Sequence, residues 1–189
     1  MNISENIKKI HEEVITWRHE LHANPELCYE ENWTAEFIAE KLKSFGIEVH
    51  NKIGKTGVIG VLKGSNSQEH KSNRSIGLRA DMDALPIEEE NDFDYKSKFL
   101  GKMHACGHDG HVAMLLGAAK ILSKEKKFSG TIYFIFQPGE EGLFGGKKMI
   151  EEGLFDDFKI DEVYALHNWP ELPIGQFGVT EGPMMAAVD

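Results

Sequence analysis

The chain has little of what a secreted, membrane-bound or nucleic-acid-binding protein needs. It contains only two cysteines, Cys28 and Cys106, which are far apart in sequence, so no disulfide framework is expected. No segment approaches the roughly 20 apolar residues of a membrane helix, and the charged amino terminus lacks the apolar core of a signal peptide. The net charge of −10 disfavours a nucleic-acid-binding surface. We therefore expect a soluble, cytoplasmic protein without nucleic-acid or membrane partners.

The hydrophobic pattern predicts an α/β fold. Apolar residues recur at helical spacing near residues 4–22, 32–45, 111–122 and 145–153. Short apolar segments predict strands at 47–51, 57–64, 75–83, 131–137 and 162–169, and a further strand within 175–189. Because strands and helices alternate in the second half, we expect a mixed, mostly parallel sheet with helices on both faces.

Residues able to bind a metal ion are concentrated in the segment MHACGHDGH, residues 103–111. Cys106 and His108 lie two positions apart in a loop that contains glycine, so both side chains can face one centre. Thiolate, imidazole and carboxylate ligands together suit zinc or a similar transition metal. The position before a predicted helix also favours a deprotonated thiol at Cys106. One such residue alone is more often structural, but their concentration indicates a metal site.

Further polar residues follow the predicted strands. Asp81 and Asp83 end the strand that starts at residue 75, Glu140 and Glu141 follow the strand TIYFIFQ, and His167 lies in the strand 162–169. Ligands of open α/β sheets bind at the carboxyl ends of the strands. We therefore expect these residues and the Cys106 loop to form one site.

The acidic pairs allow more than one assignment. Adjacent side chains diverge, so one of Glu140 and Glu141 can bind metal while the other acts as general base; a solvated acidic turn is the alternative. Either Asp81 or Asp83 can orient a histidine ligand from behind, or the pair only closes the strand. A histidine such as His167 is often structural, but the neighbouring candidates favour a ligand.

Seven segments, in order, resemble the amidohydrolase branch of the dinuclear metallopeptidases, which includes hippurate hydrolase, N-acyl-amino-acid amidohydrolases and plant auxin-conjugate hydrolases. They are WRHELHANPEL, KTGVIGVLKG, GLRADMDALPI, MHACGHDGHVAMLLGAA, FIFQPGEEG, ALHNWPELPIGQ and GPMMAA. The resemblance implies that residues 1–180 form the amino-terminal part of a zinc-exopeptidase-like catalytic domain. Residues 181–189 would begin the connection to a lid and dimerisation domain that is absent, as is a last histidine ligand.

The resemblance also implies roles for single residues. Glu140 matches the general base, Asp83 matches the aspartate that supports the site, and Asp81 replaces a histidine ligand of related branches. His104 and His111 are expected in packing or supporting roles. The implied cofactors are two divalent ions, zinc or manganese, with cobalt or nickel as further options. Their implied ligands, with Cys106 as the shared one, are Cys106, His108, Glu141 and His167.

The implied reaction is hydrolysis of an N-acyl amino acid by a metal-bound water that Glu140 deprotonates. The resemblance further implies that full-length relatives are homo-oligomers. Two alternatives remain open. Since family members are about twice as long, the chain is alternatively a truncated, inactive metal-binding fragment. In the other alternative, Cys106 is a nucleophile paired with His108 or His167, which the surrounding carboxylates disfavour.

Overall fold

The computed structural model of the protein describes residues 4–65 and 74–184, so most of the predicted polar loop at 65–74 lies outside the described residues. The elements in chain order are α1 Glu5–Ala23, α2 Asn32–Ser44, β1 Glu48–Ile53, β2 Gly57–Lys63, β3 Ser75–Asp81, α3 His108–Glu125, β4 Thr131–Gln137, α4 Gly145–Glu151, α5 Leu154–Asp157 and β5 Glu162–Ala165.

The strands form one mixed sheet in the order β1-β2-β4-β3-β5. β1 pairs with β2 and β2 pairs with β4 in antiparallel fashion, whereas β3 is parallel to both β4 and β5. The mixed α/β sheet is thus confirmed, but the described pairings are half parallel and half antiparallel instead of mostly parallel, and the parallel pairs lie in the half formed by β4, β3 and β5. The apolar segment of β4 lies at the centre, where Phe134 and Phe136 are fully buried.

Helices cover both faces of this sheet, as predicted. Side chains of β4 alternate between the faces: Phe134 and Phe136 pack in the larger core with α1, α2 and α3, and Ile135 packs in the smaller core. In that smaller core, Met149 of α4 and Leu154 of α5 are buried. Because both faces are covered by packed side chains, the ends of the strands are where the described part of the chain can form a site.

The boundaries differ most from the predictions at three places. α3 begins at His108, three residues earlier than predicted, after Gly107 with φ +88°. β5 ends at Ala165 instead of continuing to residue 169. The strand predicted within 175–189 is wrong for residues 175–184, which form no strand and expose Phe177 and Val179, and residues 185–189 lie outside the described ranges. Without a hydrogen-bonded neighbour, an apolar segment of this kind has no ladder to join.

Candidate metal centre

The carboxyl ends of the three parallel strands lie close to the amino terminus of helix α3. Asp81 at the end of β3 pairs with Gln137 at the end of β4, and β5 ends two residues before His167. The first residue of α3, His108, hydrogen-bonds to the backbone just after β3. The predicted site residues therefore gather at the carboxyl ends of the parallel strands.

The Asp83 carboxylate fastens the loop after β4 to the end of β3. Its Oδ1 accepts the backbone N–H of Glu140 at 3.0 Å, and its Oδ2 accepts that of Glu141 at 2.9 Å. The Cys28 thiol lies 3.0 Å from the same Oδ2. Burial opposes ionisation of Asp83, but hydrogen bonds with His108, Cys28 and the two backbone N–H groups outweigh it and lower its pKa. Asp83 is thus a buried, ionised support for the loop.

His108 lies at the centre of the cluster with one ring nitrogen fixed and the other free. Its Nδ1 is 2.8 Å from the carbonyl oxygen of Asp83, an arrangement in which Nδ1–H donates and Nε2 carries the lone pair. Nε2 lies 3.6 Å from Asp81 Oδ2 and 3.9 Å from both Glu140 Oε2 and Glu141 Oε1. These separations are too long for hydrogen bonds.

Two groups of donor atoms meet at His108. Within each group one atom per residue lies within 4.8 Å of the others: Cys106, His108 and His167 form one group, and His108, Glu140 and Glu141 form the other. Cys106 Sγ is 3.4 Å from His167 Nε2. His108 belongs to both groups, and the shared metal ligand that the resemblance implies, Cys106, stays a prediction. The Cys106 thiol also contacts Glu141.

A third group contains Asp81, His108 and His111, but His111 is already engaged. Its Nδ1 is 2.6 Å from Asp81 Oδ1, and its Nε2 is 2.7 Å from Asn168 Oδ1. Asp81 also pairs with Arg79 at 3.0 Å. With both ring nitrogens hydrogen-bonded, His111 is suited to support the site, which agrees with its expected supporting role.

The cluster fits divalent metal ions. Two buried polar atoms, His108 Nε2 and Glu141 Oε1, have no hydrogen-bond partner among the described residues. Burial alone would lower the pKa of His108, but Asp83 and Asp81 outweigh it and raise that pKa. The surroundings therefore attract positive charge. Sulfur, imidazole nitrogen and carboxylate oxygen in one cluster match the ligands of zinc and related transition metals.

The Cys106 thiol differs from its expected state. Burial and the carboxylates of Glu141, Asp81 and Glu140 raise its pKa to about 12, so the predicted deprotonation by the helix terminus is wrong for the chain alone. The effect of a helix terminus is small beside several nearby carboxylates. A bound cation would reverse the balance, because metal ligation requires the thiolate.

The structure adds residues to the neighbourhood that the sequence pattern did not single out. Cys28, from the turn after α1, contacts Asp83, and Asn168 contacts His111. A Cβ on Gly107 would lie 2.4 Å from Asn168 Oδ1, and Gly107 has φ +88°, so both the space and the backbone conformation favour glycine at this position. His104 is buried outside the metal-binding groups, and its ring nitrogens have no hydrogen-bond partner in the described ranges. Cys28 and Asn168 carried no signal in the sequence, whereas His104 and His111 were already expected in packing or supporting roles.

A model of peptidase family M20/M25/M40 matches residues 77–184, which include all six predicted site residues. The chain belongs to this family. Among its M20 relatives, hippurate hydrolase of Campylobacter jejuni is 50% identical over 189 residues, covering 100% of this chain and 48% of the relative. The N-acyl-L-amino acid amidohydrolase of Geobacillus stearothermophilus is 47% identical over 191 residues, covering 98% of this chain and 50% of the relative.

A solved M20 structure has the same fold. The Bacillus subtilis YXEP protein, described as a dinuclear metal-binding peptidase, superimposes with a TM-score of 0.85 and 40% identity, over 93% of this chain and 48% of that chain. The M20 chain described here thus spans about half the length of the relatives it matches. In residues 4–65 and 74–184, no helix is both long and apolar enough to cross a membrane.

Proposed function

We propose that the protein hydrolyses the amide bond of small N-acyl amino acids. The observation that carries this proposal is that two groups of donor atoms share His108, one with Cys106 and His167 and the other with Glu140 and Glu141. The names of the hippurate hydrolase and N-acyl-L-amino acid amidohydrolase relatives support the substrate class. In this proposal two divalent ions are held by Cys106, His108, Glu141 and His167.

The environments of Glu140 and Glu141 support different roles. Glu141 has a buried, unpartnered Oε1 that is available as a ligand atom. The Glu140 side chain is 43% exposed, so it is accessible to a substrate. Burial and the charge of Glu141 raise the pKa of Glu140, which makes it a stronger base than a free glutamate. We therefore assign Glu141 as ligand and Glu140 as general base.

The residues of the chain then handle the proton. When bound, divalent ions would supply Lewis-acid activation of water and of the amide carbonyl. Glu140 takes the proton from the attacking water and returns it to the amine nitrogen as the amide bond breaks. Asp83 holds the backbone of Glu140 and Glu141 during both transfers. The thiolate of Cys106 favours zinc, and manganese, cobalt and nickel are the other candidates.

The first test is the metal content of the purified chain, measured by elemental analysis beside a Cys106→Ser variant. We expect about two ions per chain, reduced in the variant, because serine is a poor ligand for zinc. Cys28→Ser is the matched control and should keep the metal content. A folded chain without metal would support the alternative, an inactive fragment. Hydrolysis of benzoyl- and acetyl-amino acids by the protein at its natural length tests the reaction itself.

A thiol hydrolase is the second candidate, because Cys106 Sγ and His167 Nε2 are 3.4 Å apart. The raised pKa of Cys106 counts against it, since the thiolate is the nucleophile. Iodoacetamide separates the two functions. Inactivation that added zinc or manganese fails to prevent would favour the thiol mechanism, whereas protection by metal would favour the metal mechanism.

The remaining expectations complete the proposal. We propose that residues 1–180 are the amino-terminal part of the catalytic domain and that 181–189 begin a connection to a lid domain. Exposed apolar side chains at the β5 edge, Val163, Tyr164 and Leu166, are compatible with further chain packing there. We also propose a homo-oligomer that acts in the cytoplasm on small molecules. Sedimentation of the natural-length protein and fractionation of the source cells test these points.

A further inference from the structure

The segment of residues 28–31 lies behind the loop of residues 138–143 and contacts it on both sides of Glu140. Glu31 Oε1 accepts the backbone N–H of Gly139 at 2.8 Å. The Tyr29 hydroxyl donates to the carbonyl oxygen of Leu143 at 2.7 Å. Cys28 Sγ lies 3.3 Å from the carbonyl oxygen of Glu141. Three side chains of one short segment thus bind the backbone of a loop more than a hundred residues away.

The Glu31 carboxylate is fully buried and is held by neutral donors. Besides Gly139, the Thr56 hydroxyl donates to its Oε2 at 2.6 Å, and the backbone N–H groups of Tyr29 and of Glu31 itself also bond to it. Burial raises the pKa of Glu31 in spite of these bonds. Burial of a carboxylate costs desolvation free energy that an apolar side chain would not cost. The contribution of Glu31 that an apolar residue could not make is therefore its set of accepted hydrogen bonds.

Three consecutive backbone N–H groups of the loop donate hydrogen bonds to carboxylates. Gly139 donates to Glu31, and Glu140 and Glu141 donate to Asp83. Glu31 therefore extends the support that Asp83 gives by one peptide. Hydrogen bonds to charged acceptors are stronger than those to neutral ones.

The contact is tight on both sides. Tyr29 has φ +60° and Gly139 has φ +56°. Both values lie in the left-handed region of backbone conformation, which residues other than glycine rarely adopt. A Cβ on Gly139 would lie 3.1 Å from the Tyr29 ring. Such backbone conformations persist when surrounding contacts enforce them, and they occur often at functional sites.

On the basis of the proposed general-base role of Glu140, we propose that Glu31 is a positioning residue. Its carboxylate holds the Gly139 N–H and so fixes the Pro138–Gly139 peptide, directly before Glu140. The Glu140 Oε2 then stays at its 3.9 Å distance from His108 Nε2. Without Glu31 the Gly139 N–H loses its acceptor, and the loop on which Glu140 lies is held less firmly, although Asp83 still binds the Glu140 N–H and every proposed ligand remains present.

Substitutions of Glu31 test this role in the protein at its natural length, saturated with metal. In Glu31→Ala we expect kcat to fall about tenfold or more with KM within about twofold, because misplacement of a reacting group costs rate. Glu31→Gln should rescue kcat to within about threefold: its oxygen still accepts Gly139 N–H, and its amide can donate to Thr56, whose hydroxyl also accepts. Glu31→Asp keeps the charge but is shorter, so it should lie between them.

The exposed neighbour Glu30 provides the matched control. It pairs with Lys102 at the surface, and Glu30→Ala should leave kcat within about twofold, as surface substitutions usually do. If Glu31→Ala is folded and metal-loaded and its kcat equals that of Glu30→Ala, the proposed role is refuted. A loss of thermal stability in Glu31→Ala without a loss of kcat would also refute it.

Amide hydrogen exchange separates this inference from the proposed function. In the protein without metal, Gly139 N–H should exchange slowly in the wild type and in Glu31→Gln, and fast in Glu31→Ala. Unchanged protection in Glu31→Ala would overturn the inference whether or not the protein is an amidohydrolase. If the wild type hydrolyses no N-acyl amino acid but shows this exchange pattern, the proposed function fails while the hold of Glu31 on the loop stands.

Discussion

The substitution Asp83→Asn would remove one of the two carboxylate oxygens that accept hydrogen bonds from the loop of Glu140. In the wild type, Oδ1 and Oδ2 accept the N–H groups of Glu140 and Glu141 at 3.0 and 2.9 Å. The asparagine oxygen can serve only one of them, and its NH₂ group then faces the other N–H. An unsatisfied buried donor costs about 1–3 kcal/mol, so we expect the free energy of unfolding to fall by about 2 kcal/mol.

The same change should weaken metal binding. Asp83 lies behind His108 and Glu141, two proposed ligands, and loss of such a supporting group lowers metal affinity by roughly 10–100-fold. Urea unfolding of the metal-free chain, followed by circular dichroism, measures the first effect. Competition with a chromophoric chelator measures the second. Asp92→Asn is the control, because Asp92 is an exposed carboxylate that pairs only weakly with Lys96.

The outcome that contradicts this reasoning is specific. If Asp83→Asn unfolds within about 0.5 kcal/mol of the wild type, as a surface substitution does, the carboxylate is not the support of the loop. If its metal affinity also matches that of Asp92→Asn, Asp83 has no supporting role in the metal site. A loss of affinity with unchanged stability would instead assign Asp83 to the metal centre alone.

Three further predictions test the site, an ion pair and the core. Glu140→Gln should keep the metal content but lower kcat roughly 10²–10⁴-fold, and an active variant would exclude the general-base role. Although burial opposes it, hydrogen bonds with Asp109 and Glu89 raise the pKa of His22 above its usual 6.5. Its contribution to stability is therefore complete below about pH 6.5 and is lost as pH rises through the folded pKa. Metal-free unfolding at a series of pH values should show this loss in the wild type, whereas an equal slope in His22→Gln would refute it. Phe134→Ala should lower the free energy of unfolding by about 3–5 kcal/mol in urea denaturation, and a cost below 1 kcal/mol would mean that β4 is not the centre of the core.

The central part of the fold could be predicted because its signals are local. The apolar segment TIYFIFQ matches β4, Thr131–Gln137, and the helical spacing near residues 4–22 matches α1. The sequence also predicted that the candidate site lies at the carboxyl ends of the strands, because Glu140 follows a strand and ligands of open α/β sheets bind there. Periodicity does not identify a helix as short as α5, Leu154–Asp157, which spans barely one turn.

Contacts between distant segments could not be predicted in the same way. Cys28 meets Asp83 across 55 residues, and Glu31 meets Gly139 across 108 residues. These contacts depend on how α1 and α2 pack on the sheet, which no local pattern encodes. The state of the Cys106 thiol depends on the same packing, because Glu141 and Asp81 come within range only after the sheet forms.

β5 has a consequence for how folding and metal binding are coupled. It has four residues, pairs with β3 alone among the described strands and is exposed over most of its length, yet it leads to His167. An ion bound by His167 and Cys106 would fasten this marginal edge strand to the start of α3. By mass action, part of the binding free energy of the metal would then be spent on docking β5. The proposed centre would thus hold the edge strand on the sheet, and removal of the metal by a chelator would loosen residues 162–168 first.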